Sequence, residues 1–406
     1  MQKPSKLAQI PQIRFAGFTK PWEIRKLGDC AKFSKGSGYS KNDLCNIGTP
    51  IILYGRLYTK YETIIKKVNT FVRPKDSSVY SKGGEIIIPA SGETANDIAR
   101  ASAVENSGIL LGGDLNIISP DKAINSAFLA LSISNGKPQK ELAKKAQGKS
   151  VVHISNSEIK ELNIPFPQKA EQQKIGKLFA NLDNLITLHQ SKFEKLQKIK
   201  KSCLQNLFPQ NNQNTPKIRF KNFTDEWLKN KLCEVAEFNP KSELPYKFEY
   251  VDLESVVGTE MISHRTEIKE SAPSRAQRLA KIGDIFFQTV RPYQKNNYLF
   301  LKSDINYVFS TGYAQIRPNI NATFLMSYLQ TDNFVKIVLD NCTGTSYPAI
   351  NSSDLSNLTV VFPLLIQEQE KIGAFFSKLD KLITLHQRKV EKLKEIKAAM
   401  LSKAFI

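Results

Sequence analysis

The most regular pattern of apolar and polar positions lies in two nearly identical segments. LDNLITLHQSKFEKLQKIK begins at Leu182 and LDKLITLHQRKVEKLKEIK begins at Leu379, with 14 of 19 residues the same. Apolar residues alternate at spacings of four and three, which is typical of a coiled-coil helix. The predicted helix-pairing positions are Leu182, Ile186, His189, Phe193 and Leu196, then Leu379, Ile383, His386, Val390 and Leu393, with Lys200 and Lys397 continuing the two seams.

The apolar face of each helix is wider than one seam. Leu185, Leu188 and Ile199, with Leu382, Leu385 and Ile396 in the second copy, extend it beyond a two-helix contact. We therefore expect the helices to cover one seam mutually and to leave the remainder for helices of another chain. A helix over residues 171–207 would extend about 55 Å, which is typical of a spacer between domains. The alternatives are an ordinary bundle core and, for the two seam histidines, a pH-sensitive or metal site instead of plain packing.

Two further blocks repeat around these helices. An opening segment, PQIRFAGFTKPWEIRKL from Pro11, returns as PKIRFKNFTDEWLKNKL from Pro216, and a closing segment contains EQQKIG at Glu171 and EQEKIG at Glu368. The chain is therefore an internal tandem repeat. We predict an opening segment and first domain over 1–165, a long helix over 166–210, an opening segment and second domain over 211–363, and a second long helix over 364–406.

The regions between the repeated blocks share only traces, such as KGGEIII from Lys82 and KIGDIFF from Lys281. Short β-branched or aromatic runs, among them TPIILYGRLY, LNIISP and YAQIRP, are punctuated by Gly, Pro and Asn, whereas AFLALSIS and TFLMSYLQTDNFVKIVL have a helical pattern. We predict two α+β domains of the same type, each with an irregular, mostly antiparallel sheet and its own surface.

Charge narrows the function. Lys and Arg outnumber Asp and Glu by 58 to 38, for a net charge of +20, which favours a polyanionic partner, nucleic acid before membrane. No apolar run approaches the roughly 18 residues of a membrane span, and the first residues lack the apolar core of a secretion signal, so we predict a cytoplasmic protein. The five cysteines form no C-x-x-C pair, which indicates neither a zinc site nor a disulfide framework.

The order of these blocks resembles the specificity subunits of Type I restriction-modification systems, over essentially the whole chain. The resemblance rests on IPFPQKAEQQKIGKLFANLD from Ile164 and VFPLLIQEQEKIGAFFSKLD from Val361, each running into its long helix. The second copy has one more residue between its Phe-Pro and its Glu-Gln, and GKSVVHI at Gly148 stands where the family has G-T-x-x-P. These departures affect loop geometry.

The resemblance implies two target-recognition domains held by two long antiparallel coiled-coil helices with pseudo-twofold symmetry. It implies that two modification subunits dock on the helices, bind S-adenosylmethionine and methylate adenine, and that restriction subunits using ATP and Mg join the full complex. This chain would bind no cofactor or metal itself. Its domains would read two different half-sites of double-stranded DNA. If both half-sites lie in the major groove on the same side of the duplex, with centres about one turn apart, the geometry of the helix pair predicts a fixed, unread spacer of about 5 to 8 base pairs.

The residues themselves show no catalytic motif. Asn239-Pro240 is followed by Lys241-Ser242 instead of completing a methyltransferase N-P-P-[YF] loop, FSKGSG from Phe33 lacks a strand-to-helix context, and no phosphate-binding G-x-x-x-x-G-K-[ST] occurs. Asp252 and Glu254 are interpreted as an exposed strand face instead of a nuclease site. We therefore predict a non-catalytic subunit, with a coiled-coil scaffold for two protein- or RNA-binding domains as the alternative, and a stand-alone methyltransferase or nuclease a distant third.

The candidate DNA-binding residues are clusters of basic, aromatic and amide side chains, because Arg suits guanine and Asn suits adenine in paired hydrogen bonds. They are Arg56, Tyr58, Lys60, Tyr61, Arg73 and Lys75 in the first domain, and Arg265, Arg275, Arg278, Arg291, Tyr293, Lys295, Asn296 and Asn297 in the second. The basic run from Lys137 to Lys145 is either a further contact or a solvated helix face.

Overall fold

The computed structural model describes residues 10–148, 151–210, 213–303 and 306–406. Residues 1–9 of the predicted first segment and residues 149, 150, 211, 212, 304 and 305 lie outside the described residues. The chain divides into two compact units, one formed by the residues up to Gln190 together with Arg388–Ile406, the other by Ser191–Gln387. Each long helix contributes to both units, and the four-part division predicted from the sequence stays a prediction.

The first unit contains two five-stranded sheets, in the orders β2-β12-β8-β10-β5 and β3-β6-β4-β11-β7. Its strands are β1 (Glu23–Lys26), β2 (Ala31–Lys35), β3 (Leu44–Cys45), β4 (Thr49–Ile52), β5 (Ile64–Ile65), β6 (Phe71–Val72), β7 (Tyr80–Lys82), β8 (Ile86–Pro89), β9 (Ser91–Gly92), β10 (Ser102–Val104), β11 (Ser107–Leu111), β12 (Leu115–Pro120), β13 (Val152–His153) and β14 (Asn163–Phe166). Its helices are α1 (Arg56–Thr59), α2 (Ala95–Ile98), α3 (Ser126–Ile133), α4 (Gly136–Lys145), α5 (Asn156–Lys160) and the first part of α6 (Lys169–Asn206). Pairing is mostly antiparallel, as predicted, with β5-β10 and β4-β11 parallel.

The second unit repeats this plan with two four-stranded sheets, β16-β25-β22-β23 and β20-β17-β24-β21. Its strands are β15 (Leu228–Lys231), β16 (Ala236–Phe238), β17 (Lys247–Val251), β18 (Val256–Val257), β19 (Glu260–Met261), β20 (Arg265–Ile268), β21 (Ala276–Leu279), β22 (Ile285–Gln288), β23 (Tyr298–Leu299), β24 (Tyr307–Ser310), β25 (Tyr313–Pro318) and β26 (Thr359–Phe362). Its helices are α7 (Leu232–Val235), α8 (Ala322–Leu329), α9 (Asp332–Asp340), α10 (Ser352–Ser356) and the first part of α11 (Ile366–Ala404). The predicted fold class, tandem α+β domains with long helices, is confirmed.

Both domains bury a central strand on its two faces. In β8, Ile86 and Ile88 join a core with Trp22 and Phe128, whereas Ile87 belongs to the core between the sheets. Ile285 and Phe287 of β22 likewise face the core of Trp227, and Phe286 lies on the other side, stacked on Phe309. Because side chains alternate across a strand, burial on both faces explains why these runs are continuously apolar.

Two details differ from the sequence prediction. Each domain has two main sheets instead of one, and TPIILYGRLY is not wholly extended: β4 ends at Ile52 and Arg56–Thr59 forms the short helix α1. TFLMSYLQTDNFVKIVL is helical but broken in two. The side chain of Thr331 accepts a hydrogen bond from Phe334 N and begins α9, because a Thr at this position satisfies a free amide of the helix end.

The long helices α6 and α11 have 38 and 39 residues, about 57 Å each, and are confirmed as single helices. In the first unit, Asp183 of α6 forms an ion pair with Lys397 of α11 at 2.5 Å. In the second unit, Lys200 of α6 pairs with Asp380 of α11, also at 2.5 Å. Early residues of one helix meet late residues of the other, so within each unit the paired segments are antiparallel.

The end of each long helix enters the core of a domain. Phe405, just beyond α11, lies 5.9 Å from Phe128 between ring centroids and 6.4 Å from Trp22 in the first unit. Phe208, just beyond α6, lies 5.6 Å from Phe324 and 6.3 Å from Trp227 in the second. Each domain is therefore completed by the helix that ends the other half of the chain. Within the described residues, no helix combines the length and apolar character needed to cross a membrane.

Candidate nucleic-acid interface

The predicted DNA-binding residues on and after α1 are partly engaged inside the first domain. Arg56 Nη2 donates to Glu62 Oε2 at 2.6 Å and to the carbonyl of Lys67 at 2.9 Å, and its side chain is 9% exposed. Tyr58 donates to the carbonyl of Ser91, and Tyr61 to that of Ala101. Burial raises the pKa of Tyr61. These contacts give the three side chains a role in holding their loop.

Three more predicted residues of the first domain face solvent: Lys60, Arg73 and Lys75. Lys75 Nζ contacts Asp43 Oδ1 at 2.6 Å and lies 4.7 Å from the centre of the Tyr39 ring. The hydrogen bond from Lys75 is the main reason that the pKa of Asp43 falls to about 2. On α4, Pro138 and Leu142 face the core while Lys137, Lys140 and Lys144 are exposed, so the basic run lies on the outer face of a helix.

In the second domain, the predicted arginines differ in setting. Arg265 is exposed on β20 but donates to Asp252 and to Glu267, each at 2.7 Å, and its guanidinium lies 4.7 Å from the Tyr250 ring centre. Arg275 is exposed just before β21. Arg278 is half-buried on β21, and burial lowers its pKa.

The remaining predicted residues share one turn, 291–297. Tyr293 is 49% exposed, and Arg291, Lys295 and Asn296 are partly exposed. Asn297 is buried, and its Oδ1 accepts a hydrogen bond from Gln288 N at 2.9 Å. The structure therefore brings these residues together, with Asn297 as an internal support of the turn.

Each domain is fixed to its long helix by an arginine anchor, the name used here for the pairs Arg14–Glu171 and Arg219–Glu368. In both, arginine Nε and Nη2 donate to the two carboxylate oxygens at 2.6 and 2.8 Å, and the glutamate is completely buried. The hydrogen bond to the glutamate raises the pKa of each arginine. The anchor ties the opening segment to the start of the long helix.

The glutamine after each anchor glutamate makes a second connection. Gln172 donates to the carbonyl of Pro167 at 2.9 Å and accepts a hydrogen bond from Asn125 N at 2.9 Å, and Asn125 caps α3. In the second unit Gln369, Pro363 and Asn321 make the same contacts at 2.8 and 2.9 Å. Sequence analysis found the repeated opening and closing segments. It missed that the arginine of each opening segment binds the glutamate of the closing segment in the same half. Their joint repetition in both halves was the signal.

The seam residues are the more buried part of the helix pair. Leu182, Leu379 and Val390 are at most 9% exposed, and Ile186, His189, Phe193, Leu196, Ile383, His386 and Leu393 are partly buried. On the wider face, exposure reaches 48% at Leu188 and 45% at Leu385, with Leu185, Ile199 and Ile396 at 42%, 47% and 38%. Large apolar side chains thus remain exposed on this face of the two helices, and a contiguous face of this kind marks a site for protein contact.

The fold defines a class of protein in which tandem α+β domains are each anchored on long paired helices. The sequence model of the Type I restriction modification DNA specificity domain matches residues 19–200 and again residues 224–395. The chain therefore belongs to the specificity-subunit family of Type I restriction-modification systems.

Individual relatives agree with this assignment. The MjaVIII specificity subunit of Methanocaldococcus jannaschii is 22% identical over 403 residues, which are 94% of this chain and 91% of the relative. The HindI specificity subunit of Haemophilus influenzae is 31% identical over 141 residues, which are 33% of this chain and 30% of the relative. The crystal structure of the S subunit from M. genitalium has a TM-score of 0.66 at 16% identity, covers 98% of this chain and 99% of that chain, and supports the fold. The predicted non-catalytic specificity subunit is confirmed by the family.

Proposed function

We propose that this chain reads a bipartite, asymmetric DNA target, one half-site per domain, and delivers two modification subunits to it. The methyltransferase chemistry, with S-adenosylmethionine, belongs to those partners. DNA cleavage with ATP and Mg belongs to restriction subunits in the full complex. All of these components would act in the cytoplasm.

The observation that carries the proposal is the contrast between repeated anchors and unlike outer surfaces. The bonds of Arg14–Glu171 and Arg219–Glu368 agree in length, so both domains are held to their helices in the same way. The basic groups differ: the first domain presents Arg73 and Lys75, the second Arg275 and the 291–297 turn. Two like platforms with unlike surfaces suit a DNA target whose two halves differ.

Spacer length tests the role of the helices. A matched deletion of seven residues, around residue 190 in α6 and around residue 387 in α11, keeps the heptad phase and shortens the pair by about 10 Å. At about 3.4 Å per base pair, the spacer should shorten by about three base pairs. Methylated adenines mapped across the genome of cells carrying the complex would show unchanged half-sites with a shorter gap. Altered half-sites with an unchanged gap would contradict the proposal, and deletion in α6 alone, which breaks the pairing, is the control.

The exposed apolar face supports helix docking by the modification subunits. Leu188→Glu and Leu385→Glu place a charge on that face without touching the buried seam residues Leu182 and Leu379. Both variants should keep the folded Trp emission and lose co-purification with the modification subunit. Ile282→Glu is the matched control, since Ile282 is a 66% exposed apolar residue in the turn between β21 and β22. Full recovery of the complex with both helix variants would refute this docking face.

DNA binding itself separates this function from a scaffold for protein domains. Affinity for duplex DNA should fall steeply with salt concentration, because phosphate neutralisation releases counterions. Salt titrations of the assembled complex on a target duplex and on a scrambled duplex measure the electrostatic contribution and the sequence-specific contribution to affinity. Equal affinity for the two duplexes would contradict sequence recognition.

A further inference from the structure

Two turns of the second domain are joined at the end of its central strand, and we call them the paired turns, 290–297 and 343–349. Val290 and Ala349 form an antiparallel bridge, and Arg291 N donates to the carbonyl of Pro348 at 2.7 Å. Thr343 and Ala349 bridge within the second turn. Residues 344–348 of this turn have the sequence GTSYP, in which Tyr347 is the fourth residue.

The first of the paired turns is strained. Arg291 has φ 53° and ψ 56°, and Lys295 has φ 56° and ψ 30°, a left-handed conformation that glycine adopts most readily. Counting from the shared K-x-G-[ED]-I motif, Gly92 stands in the first domain where Arg291 stands in the second. Gly92 lies in the extended strand β9, so the left-handed backbone belongs to the second domain only. Backbone strain of this kind concentrates at functional sites, which makes Arg291 a candidate for a functional side chain.

Hydrogen bonds hold the strained turn rigid. Lys295 Nζ contacts Asp332 Oδ1 at 2.5 Å and the carbonyl of Gln330 at 2.9 Å, and Gln330 Nε2 donates back to the carbonyl of Lys295 at 3.1 Å. The buried Asn297 is bonded to the amide of Gln288 at 2.9 Å. A surface that must select one base pair needs this preorganisation, because a mobile loop would lose free energy on ordering.

The paired turns present chemistry suited to a base edge. The Arg291 guanidinium lies 4.3 Å from the centre of the Tyr347 ring, while Tyr347 is 64% and Tyr293 49% exposed. Stacking uses the face of a guanidinium and leaves its in-plane N–H groups able to donate. Those donors match the O6 and N7 acceptors of guanine in the major groove.

The same place in the first domain carries different groups. His153 pairs with Ser91 across β13 and β9, and Ser91 Oγ lies 3.1 Å from His153 Nδ1 and 3.3 Å from Asp114 Oδ2. These residues line an open cavity of about 420 Å³. Val151, 49% exposed, stands where Tyr347 stands in the second domain. Both domains thus have a site at this location, but its side chains differ between them. The arginine anchors, in contrast, have the same side chains in both domains.

We infer that the paired turns are the base-reading surface for the second half-site, and that Arg291, supported by Tyr347, selects a guanine there. The inference rests on the proposed function and adds a residue-level site to it. Tyr347 is a positioning residue, because it acts by holding the guanidinium plane, whereas Arg291 contacts the base.

The test uses the complex of this chain with its modification subunits. Genome-wide methylation mapping with the wild-type chain first defines the two half-sites, and duplexes with each base pair of the second half-site replaced then give relative methylation rates. Arg291→Lys keeps the charge but loses the planar donor pair, so discrimination at one G·C pair should fall by about 5- to 150-fold. Tyr347→Ala should relax the same position, and Tyr347→Phe, which keeps the ring, should not.

Controls separate reading from folding and from phosphate binding. Tyr246→Ala removes an exposed tyrosine beside β17, in the other sheet of this domain, and should leave the base preferences unchanged. The first half-site, the spacer and the salt dependence should persist in Arg291→Lys. An equal loss of rate on all duplexes, an altered first half-site or unchanged discrimination in Arg291→Lys would overturn the inference. A wild-type complex without a bipartite motif would instead overturn the proposed function.

Discussion

The anchors and the paired turns are two regions repeated by the same duplication, and they have diverged very differently. Arg14–Glu171 and Arg219–Glu368 retain the same atoms and the same bond lengths, whereas Gly92 and Arg291 occupy one position with different chemistry. The anchor glutamates are completely buried, so an altered partner would leave a charge without compensation. The turns are at the surface, where substitutions are cheap. The buried charge of the anchors therefore keeps the contact between domain and helix the same in both halves. The exposed turns can change their side chains, and with them the DNA sequence that is read.

The largest expected effect comes from breaking an anchor. Arg219→Ala leaves the buried Glu368 unpaired and should lower the free energy of unfolding of the second unit by about 3–5 kcal/mol. Arg14→Ala should cost the first unit a similar amount. Each core contains one tryptophan, Trp22 or Trp227, so denaturant titrations in Trp227→Phe and Trp22→Phe backgrounds report the units separately.

A double variant shows whether the unpaired carboxylate causes that loss. Arg219→Met with Glu368→Leu removes both charges and should recover most of the stability, because a buried ion pair replaced by apolar groups is often neutral. Lys20→Ala, an exposed position in the first opening segment, should have little effect. If the double variant is as unstable as Arg219→Ala, the anchor stabilises by packing and not by charge pairing.

The next largest effect is expected to differ between the two long helices, at the corresponding glycines Gly176 and Gly373. A Cβ on Gly373 would lie 2.1 Å from Thr323 Oγ1 and 2.7 Å from Phe324 N, whereas a Cβ on Gly176 would lie 2.7 Å from Asn125 Oδ1. Gly373→Ala should therefore destabilise the second unit by about 1–3 kcal/mol. Gly176→Ala should cost less, because a Cβ there would lie 3.5 Å from the nearest backbone atom, Phe128 N. The preference of alanine for a helix interior, up to about 1 kcal/mol, offsets part of the loss in both variants. The same tryptophan-resolved titrations measure both, and equal losses would show that the helix–domain contact is equally tight in the two halves.

Sequence reasoning recovered the elements whose pattern is local. The heptads predicted α6 and α11, and the repeated blocks predicted two like domains. It did not resolve contacts between residues far apart in the chain: Arg14 and Glu171 are separated by 157 positions, and nothing in either local pattern specifies the bond. The apolar runs of β8 and β22 likewise indicated strands but not the split into two sheets, because burial on both faces removes the alternation that would mark each face. The sequence pattern also did not predict that Tyr58 is bonded inside its domain while Tyr293 is exposed to solvent.

Smaller effects are expected at the seam lysines, which form one ion pair inside each unit, Lys397–Asp183 in the first and Lys200–Asp380 in the second. Lysine in a coiled-coil seam specifies register at some cost in stability. These pairs are partly exposed, so Lys200→Met should change the free energy of unfolding by less than about 1 kcal/mol. Lys200→Asp should destabilise more, and adding Asp380→Lys should restore the pair. A double-mutant cycle measures the coupling, and no recovery in the swapped pair would show that Lys200 acts through its apolar stem.

The smallest effect concerns the tethers of two candidate DNA-binding lysines, Lys75 to Asp43 and Lys295 to Asp332. Hydrogen bonding to Lys295 lowers the pKa of Asp332 below its usual 3.8. The stabilisation is therefore present above about pH 4 and is lost as pH falls through the lowered pKa. Since the Asp332 side chain is 59% exposed, Asp332→Asn should remove only a few tenths of a kcal/mol. Thermal unfolding in the Trp22→Phe background, followed by Trp227 emission between about pH 5 and 2.5, should show a shallower acid loss when Asp332→Asn is added. The Trp227→Phe background, which reports the first unit, is the control. The same acid loss in both proteins would mean that the 291–297 turn is held by its backbone hydrogen bonds and not by the tether.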